Sequence, residues 1–119
     1  MSEGERRYPR LNCSVNVQWE KPGGAPHTSS SRDISAGGIR MRLKAGVEVG
    51  EVLDLHLQLG ERTVHCKGRV KWIDVIELAD FEEGLGMEGG LEFVDMDMET
   101  RDLILRFIQD ANAGHSGYY

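Results

Sequence analysis

The sequence predicts a single all-β domain: a small six-stranded antiparallel β-barrel of the split-barrel kind, carrying a C-terminal α-helix. Two observations carry that expectation. Five segments alternate apolar and polar residues and are joined by short turns, which leaves no room for crossover helices between parallel strands, and a glycine-rich sixth follows. Helical spacing of apolar residues comes only after the sixth. So few strands, strongly curved, leave open edges unless they close on themselves. With 119 residues the chain can bury one core but not two.

Each element follows from its local pattern. Residues 1–11 are polar, charged and broken by Pro9, the mark of a flexible arm. Cys13, Val15, Val17 and Trp19 alternate with Ser14, Asn16, Gln18 and Glu20, and Lys21-Pro22-Gly23-Gly24 ends that strand in a turn. Pro26 to Arg32 is rich in Ser and Thr and predicts a less regular strand. Beyond a bend at 33–38, Ile39, Met41 and Leu43 face inward while Arg40, Arg42 and Lys44 form a basic outer face. Leu53, Leu55, Leu57 and Leu59 make the next buried face, and Gly60-Glu61 links it to a long strand. There Val64, Cys66, Gly68, Val70 and Trp72 are expected inside, with His65, Lys67, Arg69 and Lys71 outside.

Ile73 to Gly84 loses the alternation and gathers five acids, so it reads as an acidic loop. Met87, Gly89, Leu91 and Phe93 then line the last strand. Asp95 or Asp97 offers an N-cap, and Leu103, Ile104, Phe107, Ile108 and Ala111 recur at helical spacing. Residues 12–113 thus form the barrel with its helix, and 114–119 a disordered tail.

Charge narrows the function. The net charge of −6 argues against general DNA or RNA binding, which depends on a basic surface. Its distribution is uneven: 12 Lys or Arg against 9 Asp or Glu up to Asp74, then 2 against 11, giving +3 and −9. A small dianion would be drawn to the first part. Two cysteines, Cys13 and Cys66, do not make a disulfide scaffold or a zinc motif. No stretch approaches the roughly 20 apolar residues of a membrane span, so a cytoplasmic protein without membrane insertion is expected. Neither a nucleophile with its base, nor paired carboxylates, nor metal ligands occur at a convincing spacing, and His27, His56, His65 and His115 are scattered. No catalysis, metal or cofactor is expected.

The bend at 33–38 carries the functional signal. Asp33, Ser35 and Gly38 place an acceptor, a donor and bare backbone close together, and Gly37 and Gly38 can take positive φ to sharpen the turn. A plain hairpin with Asp and Ser capping their own backbone fits the same residues. Upstream, Arg6 and Arg10 spell Arg-x-x-x-Arg ahead of Asp-x-Ser-x-x-Gly. The two motifs in this order, together with Leu85-Gly86-Met87-Glu88-Gly89-Gly90-Leu91-Glu92-Phe93-Val94-Asp95, resemble the PilZ domain family of receptors for the bacterial second messenger cyclic di-GMP.

That resemblance implies the same barrel and a dinucleotide held between arm and bend. Arg6 and Arg10 would grip guanine edges and phosphates, a task suited to the planar guanidinium fork. Asp33 would accept from guanine N1 and N2, Ser35 would add a polar contact, and Gly38 would leave room for the base. Arg7 ranks below the motif arginines, with Gly37 completing the bend. Arg32, Arg40 and Arg42 qualify by charge and proximity alone. A protein partner is expected at the acidic loop or the outer helix face, and an adaptor that binds no nucleotide is the alternative.

Overall fold

The computed structural model describes residues 9–77 and 85–116. Its elements are β1 (Arg10–Leu11), β2 (Asn16–Glu20), β3 (His27–Ser35), β4 (Gly38–Leu43), β5 (Val52–Leu59), β6 (Arg62–Glu77), β7 (Leu85–Val94) and α1 (Met98–Ser116). The strands run in the order β3-β2-β5-β6-β7-β4, and β4 returns to pair with β3. All pairs are antiparallel. Six strands therefore close the expected barrel, and β1 is a short seventh laid along β3.

Alternation decides what is inside. Val17, Trp19, Ile39, Met41, Leu53, Leu55, Leu57 and Val70 are fully buried, and Ile104 and Ile108 of α1 join them. Asp97 starts the helix: its Oδ1 accepts from the Thr100 N–H at 2.8 Å, and hydrogen bonds from the Thr100 side chain and, second, its N–H hold the Asp97 carboxyl below the usual range. The helix runs through Ser116, so residues 114–116 are helical where a tail was expected. It meets the barrel at β1 and β3.

Two single-residue bulges correct the strand assignments. In β3 the register with β4 slips between Ser31 and Asp33, so Ser31 pairs with inward Met41 while Asp33 pairs with outward Arg40. The expected tight bend is thus mostly strand, with Ala36 and Gly37 as its link. In β6 the slip falls between Val70 and Trp72 and turns Trp72 outward, 38% exposed, where strict alternation put it inside. Past this bulge the strand continues, pairing Ile73 to Glu77 with residues 85–89 instead of opening into a loop. The rest of the expected acidic loop, residues 78–84, lies outside the described residues.

Buried Ser31 bridges the gap between β1 and β2. Its Oγ accepts from the Val15 N–H and donates to the Cys13 carbonyl, both at 2.9 Å, while its own N–H donates to the Val15 carbonyl. A side chain thereby replaces missing ladder bonds and keeps β1 against β3. Ser31→Ala is expected to cost about 1–3 kcal/mol, read in urea melts, because it orphans buried backbone groups.

Cys66 is buried, and burial pushes its thiol up to about 12. The unfolded thiol ionises near pH 8.5 while the folded one keeps its proton. The unfolded state then binds fewer protons, so this contribution to stability declines as pH rises from about 9 towards 12. Urea melts across the accessible part of that window should show a decline that Cys66→Ala lessens.

Candidate functional site

The arm residue Arg10 and the bend are brought together, as the motifs require. Arg10 pairs with Ser35 in the β1–β3 register, and its Nη1 makes an ion pair with Asp33 Oδ1. Arg40 approaches from β4 and places Nη2 2.7 Å from Asp33 Oδ2. The carboxylate is almost wholly buried between two guanidinium groups that keep 40% and 37% of their side-chain surface exposed. Its charge and, more strongly, burial raise the Cys13 thiol above its ordinary range. One buried anion therefore holds two cations at the surface in fixed positions.

Ser35 organises the link. Its Oγ accepts from the N–H groups of Gly37 at 3.1 Å and Gly38 at 3.2 Å, and Phe93 of β7 donates to the Gly37 carbonyl. Neither glycine has positive φ, contrary to expectation. Gly38 is required for closeness: a Cβ there would lie 2.3 Å from the Leu91 carbonyl oxygen of β7. Arg6 and Arg7 lie outside the described residues.

Four further features were not read from the sequence. Arg40 had been grouped with Arg42 by charge, yet only Arg40 engages Asp33, because the β3 bulge puts those two opposite each other. Arg32, another candidate by charge, turns instead to buried Glu88, at 3.2 Å. Trp72 and Arg40 both pair with Gly90, so Asp33, Arg40, Gly90 and Trp72 form one row across four strands of the outer face. A Cβ on Gly90 would meet the Trp72 indole at 2.2 Å, so glycine lets the ring lie against the strand. Apart from this row, the stacked pair His56 and His65, with ring centroids 4.4 Å apart, joins two histidines that looked scattered.

The surface so built presents two anchored guanidinium forks, a hydroxyl-braced bend and an exposed aromatic ring on a closed six-stranded barrel. The PilZ domain family model matches residues 5–110, and the chain belongs to that family. Solved structures with similar folds include the PilZ domain of Escherichia coli YcgR with c-di-GMP, at 13% identity and TM-score 0.74, covering 96% of this chain and 98% of that one. The MrkH–c-di-GMP complex of K. pneumonia gives 18% and 0.78, covering 96% and 55%. The Bacillus subtilis inhibitor of motility MotI/DgrA gives 23% and 0.71, covering 92% and 51%. The chain thus spans about half the length of the MrkH and MotI chains. Comparison with curated protein sequences gives no match. Among the described residues, no helix is long and apolar enough to cross a membrane, and no group of three or more His, Cys, Asp or Glu is placed to hold a metal ion.

Proposed function

We propose that this chain is a cyclic di-GMP receptor that binds the dinucleotide between its N-terminal arginines and the Asp33–Gly38 bend. The observation that carries the reading is the Arg10–Asp33–Arg40 cluster, because it joins the two sequence motifs in one place. Asp33 fixes both guanidinium groups, and each of its oxygens keeps a lone pair for guanine N1 and N2. Arg10 and Arg40 supply donors for guanine O6 and N7 or charge for the phosphates. Arg6 and Arg7 add to this from the arm. Trp72 offers its ring as a stacking surface about two strand spacings, roughly 10 Å, from Arg40.

The domain acts by recognition rather than catalysis, and the signal leaves through a protein partner. Because α1 touches β1, ligand-induced movement of the arm would be felt at the helix. The adaptor reading without nucleotide keeps one observation in its favour: both carboxylate oxygens of Asp33 are engaged by arginines of the chain itself.

Calorimetric titration with cyclic di-GMP, with GTP and linear pGpG as controls, tests the proposal. Saturable heat with cyclic di-GMP alone, together with quenched Trp72 emission in a Trp19→Phe background, is expected. Absence of heat would leave the adaptor reading.

A further inference from the structure

The far end of the β3–β4 hairpin, away from the Ser35 bend, holds an open cleft of about 630 Å³. That size suits a small molecule. Its wall is chemically divided. Trp19 and Leu43 give an apolar floor, Thr28 and Ser30 contribute hydroxyls, and Arg42 and Lys44 stand at the rim. None of the lining residues is acidic, and neither cation has a carboxylate partner among the described residues. Glu88, opposite Arg42 in the β4–β7 register, is engaged by Arg32.

Trp19 supplies a second observation. The residue is 2% exposed, its ring packs against His27 with centroids 4.5 Å apart, and its buried indole N–H has no acceptor among the described residues. Buried indole N–H groups ordinarily find a partner. A cleft with an apolar floor, rimmed by two cations that have no carboxylate partner among the described residues, calls for an occupant with an apolar body and an anionic head.

We infer that this cleft binds a free amphiphilic carboxylate, such as a medium-chain fatty acid, at a place separate from the Asp33 cluster. Arg42 and Lys44 hold the head, and the chain lies over Trp19 and Leu43. The affinity arises from charge complementarity at the rim and apolar contact below it.

The test uses the full chain labelled with ¹⁵N and titrated with octanoate, with octyl glucoside as the uncharged control. Trp72→Phe assigns the two indole N–H resonances. Octanoate is expected to move the Trp19 resonance saturably while Trp72 stays in place. Arg42→Gln/Lys44→Gln, both at exposed positions, should weaken the response at least about tenfold. The inference is overturned if Trp19 does not respond at millimolar octanoate, if octyl glucoside moves it equally, or if the double variant binds unchanged. Co-sedimentation with phosphatidylglycerol vesicles that the double variant loses, without an octanoate response, would likewise overturn it, by assigning the cations to a lipid surface.

Discussion

Asp33→Ala is expected to lower affinity for cyclic di-GMP at least about 100-fold while the domain stays folded. The size follows from what one carboxylate does: it anchors Arg10 and Arg40 together, so its loss releases two donors instead of one. Truncating one partner of a buried, hydrogen-bonded charge pair costs about 2–5 kcal/mol in binding. Both arginines are partly exposed and can be solvated when released, so cooperative thermal melts should persist. Asp33→Asn keeps the shape and removes the charge, and it should bind nearly as weakly. Arg10→Ala removes only one fork, and a loss of about tenfold or more is expected. Calorimetry on the three variants, each with a melting curve, decides the matter. Wild-type affinity in Asp33→Ala would place the pocket elsewhere.

Gly38→Ala is expected to reduce stability more than any single substitution at the ligand-facing arginines. The added methyl would meet the Leu91 carbonyl oxygen at 2.3 Å, and that atom is backbone in the neighbouring strand, so a rotamer change cannot relieve it. Either β4 separates from β7 at the Gly38–Glu92 pair or the bend moves away from Phe93. Overpacking of this kind costs about 3 kcal/mol, or roughly 10 °C in melting temperature for a domain of this size. Differential scanning calorimetry measures it directly. An unchanged melting temperature would show that the two strands can part freely, and would return the glycine to the role first expected of it, making room for a base.

Much of this molecule was legible in its residues. Leu53 to Leu59 and Ile39 to Leu43 alternate cleanly because each strand buries one face, and Ile104 and Ile108 fall on the helix stripe that reaches the core. The grouping of Arg10, Asp33, Ser35 and Gly38 followed from the two motifs and their resemblance to a known family. What escaped was whatever depends on a slipped register. Trp72 looked internal because Val64 to Val70 set a parity that the bulge at Lys71 reverses. Arg40 could not be told from Arg42, since only the bulge at Arg32 sets Arg40, in place of Ile39, opposite Asp33. The continuation of β6 through Glu77 was hidden for a related reason: past the bulge Val75 is 69% exposed, so burial no longer imposes a period on the sequence.

The slip at Lys71 makes the barrel wall tolerant of a change in length. Removing Lys71 would set Val70 and Trp72 on adjacent rungs opposite Leu91 and Gly90, the partners each already has, so the strand would become regular and every later side chain would keep its face. Trp72 would stay outside against Gly90, with Ile73 still opposite Gly89. The aromatic surface is thus fixed by the neighbouring strand, and a one-residue difference at this point can be absorbed without moving it.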